Sequence, residues 1–106
     1  MTVPQITPKE FVARRAAGES LTLLDVREAW ELGVASVPDV QHIPMGEIPE
    51  RVGEIDKDRE VVVLCRSGRR SLDVVKYLQR NGFHAVNLAG GVLAWSRDVD
   101  ATIPTY

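Results

Sequence analysis

Two short runs of the chain are apolar without alternation, "LTLLDV" at 21–26 and "EVVVLC" at 60–65. A strand with one face in water alternates apolar and polar side chains, so these runs predict strands buried on both faces. "HAVNL" at 84–88 predicts another strand, and residues 40–43 a short extended piece. Elsewhere the period lengthens to that of a helix. In "SLDVVKYLQRNG" Leu72, Val75 and Leu78 share a face, and Asn81 and Gly82 close the helix. "ITPKEFVARRAAG" supplies Thr7 as N-cap, Pro8 at the first helical position, Glu10 three residues past the cap and Gly18 beyond the end. "REAWEL" and the region 47–55 predict shorter helices, and "GGVLAW" opens a last one. Strands alternating with helices predict an α/β fold, a mostly parallel sheet with helices on both faces. The expected organisation is one domain over 1–106, with 97–106 as a C-terminal tail.

Composition narrows the function classes. With 44% hydrophobic and 26% charged residues the chain has the balance of a folded globular protein. No apolar run approaches the roughly 20 residues that cross a bilayer, so no membrane association is expected. The start "MTVPQITPKEF" lacks the basic, apolar and small-residue regions of a signal peptide. One cysteine cannot form an internal disulfide, which suits a reducing compartment and a cytoplasmic location. The net charge of −2 argues against nucleic acid as a partner. With no large apolar patch evident, a monomer is the default.

That single cysteine opens the most basic stretch of the chain, "CRSGRRS" at 65–71. A cysteine ending an apolar strand is by default a small buried hydrophobe. Burial does not explain its neighbours. Arg66, Arg69 and Arg70 are fixed positive charges, and a helix beginning near Ser71 points its positive end back at the loop. Gly68 permits a positive φ, so successive amides can turn inward as an anion-binding nest. Both effects favour the thiolate, which is the nucleophilic form. In a parallel sheet the ligand site lies beyond the carboxyl ends of the strands. Cys65, the pair Asp25 and Arg27, and the pair Gly90 and Gly91 all fall at or just after predicted strand ends, so three strand ends are expected to meet at one pocket. Spacing then selects the chemistry. A cysteine phosphatase loop is C-x5-R, wide enough to circle a phosphoryl group. Here Arg70 sits at C-x4-R and Ser71 holds the sixth position, so the ring is one residue small for phosphate and suits a target such as the terminal sulfur of a sulfane donor. A cysteine phosphatase or arsenate reductase is thereby disfavoured. A partner-binding module without catalysis would leave Cys65 and its basic loop unexplained.

With these motifs in view the chain resembles a single-domain rhodanese: "LLDVREAWEL", "HIPMGEIPER", "VVVLCRSGRRS" and "NLAGGVLAW" occur in the order of that family. The resemblance implies a five-stranded, mostly parallel sheet and a sulfurtransferase without metal or organic cofactor. It implies that Cys65 takes sulfur from thiosulfate or a persulfide donor, carries it as a persulfide, and passes it to cyanide, a thiol or a sulfur-acceptor protein. Residues 66–70 (Arg66, Ser67, Gly68, Arg69, Arg70) would cradle the sulfur, with Arg66 and Arg69 steering an anionic donor. Arg70 is expected to brace the loop against Asp25 or Glu28, with Arg27 beside them, and Ser71 to cap the helix. The stretch 35–40 stands where the family commonly has G-H-I-P-G-A, so His42 does not replace that histidine and is read, like His84, as structural. Trp30 and Trp95 are read as packing residues. The ending "DVDATIPTY" resembles rhodanese domains fused to E1-like enzymes that activate sulfur-carrier proteins, which points to a protein acceptor.

Overall fold

In a computed structural model of the chain, residues 3–106 are described. Five parallel strands form one sheet in the order β1-β5-β4-β2-β3. The strands are β1 (Gln5–Ile6), β2 (Leu21–Asp25), β3 (Gln41–His42), β4 (Glu60–Leu64) and β5 (Ala85–Leu88). The helices are α1 (Pro8–Ala16), α2 (Ala29–Val34), α3 (Ile48–Arg51), α4 (Arg70–Arg80) and α5 (Gly91–Asp98). Strand β1 has no counterpart in the sequence reading. Two residues between Pro4 and Thr7 carry no period to detect, and the strand exists through its pairing with Asn87 and Leu88.

The central strand β4 shows why these runs lack polar alternation. Val61, Val63 and Cys65 pack on one side with Val74, Val75 and Leu78 of α4. Val62 and Leu64 pack on the other with Phe11 of α1 and Val92 and Trp95 of α5. Both faces are covered, so both sets of alternating side chains must be apolar. The cap predicted for α1 is present in full: Glu10 N donates to Thr7 Oγ1 at 3.1 Å and Thr7 N to Glu10 Oε1 at 2.8 Å. The region read as a helix over 47–55 is instead α3 flanked by 3-10 turns at Met45–Glu47 and Val52–Glu54. On α4 the buried stripe is Ser71, Val74, Val75 and Leu78, with Leu72 only half-buried. The face begins on a polar residue because that end of the helix faces the cysteine.

The sheet order places the site. After β2 the chain leaves for β3 on one side, and after β4 it leaves for β5 on the other. The carboxyl ends of β2 and β4 are therefore neighbours from which the connections diverge, where a parallel sheet opens a crevice. Beyond α5 the segment read as a tail packs back on the domain. Ser96 Oγ donates to Ile103 O at 2.6 Å, and Ile103 joins the core. No helix among the described residues is long and apolar enough to cross a membrane.

Candidate active site

Cys65 lies one residue beyond β4 and is 1% exposed. Its sulfur is nevertheless in polar company. Gly68, at φ +91°, folds the loop so that its amide donates to Cys65 Sγ at 3.1 Å. Ser71 Oγ lies 3.3 Å from Sγ on the other side. Burial pushes the thiol pKa up, but the Ser71 hydroxyl, when its single proton turns from Asn87 to the sulfur, and the amides of Ser71, Gly68 and Ser67 outweigh it, and the net direction is down. Of the nest expected from the glycine and the helix end, the Gly68 amide stands within hydrogen-bond distance of the sulfur. Alkylation of Cys65 by iodoacetamide should rise with pH about a midpoint below ~8.5, the usual thiol value. A midpoint at or above that would contradict this electrostatic account.

The loop is held from two directions. Asn87 of β5 uses its whole amide: Nδ2 donates to Gly68 O at 3.0 Å and to Gln5 Oε1 at 3.2 Å, and Oδ1 accepts from Ser71 Oγ. Ser71 is thus not the helix cap. That position falls to Arg69, and the Ser71 hydroxyl points inward between Cys65 and Asn87. From below, the start of α5 donates to the loop: Val92 N to Cys65 O at 2.9 Å and Leu93 N to Arg66 O at 3.1 Å. Gly90 and Gly91 make this approach possible, at φ +76° and +56°. Asn87 was missed in sequence because an asparagine within "HAVNL" reads as a strand residue. A buried amide beside a nucleophile has no period of its own.

The three arginines have separate fates. Arg70 makes a bidentate pair with Glu31, Nη2 to Oε1 at 2.7 Å and Nη1 to Oε2 at 2.8 Å. The expected brace exists, but its acid is Glu31 rather than Asp25 or Glu28. Asp25 is occupied by Arg27, with Nη2 to Oδ2 at 2.8 Å and both side chains fully buried. Glu28 is exposed and meets Glu31 through its backbone: its amide donates to Glu31 Oε2 at 2.8 Å and its carbonyl accepts from Glu31 N at 3.0 Å. In the sequence, Asp25 and Glu28 are the acids nearest the end of the strand. Glu31 comes forward only because α2 turns it inward, where it is 3% exposed. Hydrogen bonds from Arg70, opposed by burial and helped by the Glu28 amide and the Tyr106 hydroxyl, hold its carboxyl at about 2, so the brace is charged at neutral pH. Arg66 and Arg69 are exposed, and among the described residues neither has a carboxylate partner.

Beside the loop opens a cleft of about 480 Å³ lined by Glu28, Trp30, Glu31, Arg66, Arg70 and Tyr106. Trp30 belongs to this surface and not to the core: it is 65% exposed and meets Tyr106 edge-on, with ring centroids 6.1 Å apart. Trp95 does pack in the core, 5.9 Å from Phe11. His42 Nε2 lies 2.7 Å from Arg27 O at the strand end, a structural contact.

The model of the Rhodanese-like domain family matches residues 7–98. The chain belongs to the rhodanese family. It is 44% identical over 95 residues to a Bacillus subtilis protein named "Putative sulfurtransferase YtwF", covering 90% of this chain and 92% of that one. It is 42% identical over 96 residues to a protein of Allochromatium vinosum named "Sulfurtransferase", covering 90% of each. A Staphylococcus aureus rhodanese-like domain protein of known crystal structure superposes with a TM-score of 0.84 at 31% identity, over 97% of this chain and 98% of that one. The five-stranded parallel sheet of this rhodanese domain is thus the fold that its motifs implied.

Proposed function

We propose that this rhodanese domain is a sulfurtransferase that carries sulfane sulfur on Cys65. The Cys65 thiolate attacks the outer sulfur of thiosulfate. A sulfur–sulfur bond forms to Cys65 as the one within thiosulfate breaks, and sulfite leaves with the bonding pair. Cyanide or a thiolate acceptor then attacks the outer sulfur of the persulfide. Thiocyanate or a new persulfide departs, and Cys65 returns as thiolate. An organic persulfide donor follows the same course with a thiolate as leaving group. Each step conserves electrons, so no external oxidant or cofactor is called for.

The observation that carries the reading is the hydrogen-bonded pocket around Cys65 Sγ, with Gly68 N at 3.1 Å and Ser71 Oγ at 3.3 Å, inside a loop one residue shorter than a phosphatase ring. The Gly68 amide fixed at that spot, joined by the Ser71 hydroxyl when its proton turns from Asn87 to the sulfur, favours negative charge first on the thiolate and then on the persulfide. The names of the two relatives support the same chemistry. Arg66 and Arg69 serve to draw in the donor anion, and Arg70 holds the loop through Glu31. A cysteine residue that is 1% exposed is reached by a small ion or by a narrow extended segment of an acceptor protein, not by a flat protein surface. A cytoplasmic location fits a lone cysteine that must stay reduced between turnovers. Thiosulfate-dependent thiocyanate formation, with glutathione as the alternative acceptor, tests the reaction. Activity lost in Cys65→Ser supports it, whereas Cys65-dependent hydrolysis of phosphate esters without sulfur transfer would overturn it.

A further inference from the structure

Tyr106 occupies a position no part of the sulfur-transfer chemistry accounts for. Its hydroxyl accepts from Arg27 Nη1 at 2.9 Å and donates to Glu31 Oε1 at 2.8 Å. It therefore joins two ion pairs, Arg27 with Asp25 and Arg70 with Glu31, that otherwise belong to different segments. This fixes the ring. On that ring rests the guanidinium of Arg66, with Cζ 5.1 Å from the centroid, inside the roughly 6 Å reach of a cation–π contact.

The choice of partner matters for a residue meant to receive an anion. A carboxylate would neutralise Arg66 and occupy its N–H donors, as Glu31 does for Arg70 and Asp25 for Arg27. An aromatic face restrains the cation and leaves its charge and donors free. An exposed arginine otherwise spreads its charge over many rotamers, and ordering it on binding costs side-chain entropy. Resting on Tyr106, at the wall of the cleft that Arg66 and Arg70 of the cysteine loop help to line, Arg66 has lost much of that freedom in advance.

We infer that Tyr106 is a positioning residue for the donor: its hydroxyl locks the ring to the Glu31–Arg70 brace, and the ring holds an unneutralised Arg66 at the mouth of the cleft. This rests on the sulfurtransferase reading, with an anionic donor. Thiosulfate is then bound by an arginine whose place is set from the far end of the sequence.

The test separates the two claims. In a Cys65→Ser background, where no sulfur can be transferred, calorimetry gives the thiosulfate Kd. Tyr106→Leu is expected to weaken it about two- to fivefold, and Arg66→Gln at least as much. The double variant should be no weaker than Arg66→Gln alone, because Tyr106 acts through Arg66. With Cys65 present, Tyr106→Leu should raise the thiosulfate KM while leaving kcat and the pH midpoint of Cys65 alkylation in place, which a general loosening of the site would move. Tyr106→Phe keeps the ring and should fall between wild type and Tyr106→Leu. Unchanged affinity in Tyr106→Leu, or losses that multiply in the double variant, would overturn the assignment. Should Tyr106→Leu fail to fold, unchanged affinity in Arg66→Gln overturns it equally, and so does a Cys65→Ser protein that binds no thiosulfate. Binding that never yields a persulfide on Cys65 overturns the sulfurtransferase reading and leaves the positioning role of Tyr106 standing.

Discussion

Gly91→Ala is expected to destabilise the domain by more than about 3 kcal/mol, lowering the thermal midpoint by roughly 10 °C or more. A Cβ at this position would lie 2.3 Å from Cys65 O and 2.6 Å from Arg66 O, distances no backbone tolerates. At φ +56° an L side chain adds its own strain. Relief requires α5 and the cysteine loop to move apart, which breaks the bonds from Val92 N and Leu93 N to those carbonyls. What folded protein remains should therefore transfer sulfur poorly, since the displaced loop also carries the Gly68 amide. Gly33→Ala is the matched control, because a Cβ there meets nothing within 4 Å. It should change stability by no more than about 1 kcal/mol, in the favourable direction. Circular dichroism melts of the pair check this, and a Gly91→Ala protein melting with wild type would refute the packing argument.

Arg27→Met should cost about 3–5 kcal/mol in urea unfolding at neutral pH. Arg27 and Asp25 are both fully buried, and three donor groups of Arg27 bond that carboxylate: Nη2 at 2.8 Å, Nε at 3.0 and 3.2 Å to its two oxygens, and the Arg27 amide at 3.0 Å. Methionine fills the volume but leaves the carboxylate with an amide in place of a countercharge. The loss is that of an unpaired buried charge, not of a contact. Asp25→Asn combined with Arg27→Met removes the charge as well and should therefore be milder than Arg27→Met alone. If the double variant is the less stable of the two, the pair acts through something other than its charge. Since Arg27 also donates to Tyr106, the single variant should weaken thiosulfate binding too, beyond what lost stability explains.

Much of this arrangement was legible in the sequence wherever local chemistry or period set it. The non-alternating runs of β2 and β4, the box of Thr7 and Glu10, and the glycine-bearing loop from Cys65 each contain their own cause. Contacts made across the fold were not legible. Glu31 reaches Arg70 over 39 residues, Asn87 reaches Gln5 over 82, and Tyr106 reaches Arg27 over 79. No spacing rule links such pairs, and each is an ordinary residue until the sheet order brings it to the site. Ser71 was misread for a related reason. A serine before a helical run signals a cap, and only the position of the cysteine turned its hydroxyl inward. Trp30 was misread because aromatic size usually means burial, whereas here α2 presents it to the cleft.

If the loop holds Cys65 as a sulfur carrier, the sulfur it carries can be weighed. Intact mass spectrometry after incubation with thiosulfate and removal of excess donor tests that role most directly. One added sulfur atom per chain is expected, discharged by cyanide and absent in Cys65→Ser. A wild-type chain of unchanged mass, or an equal adduct in Cys65→Ser, would contradict the carrier role.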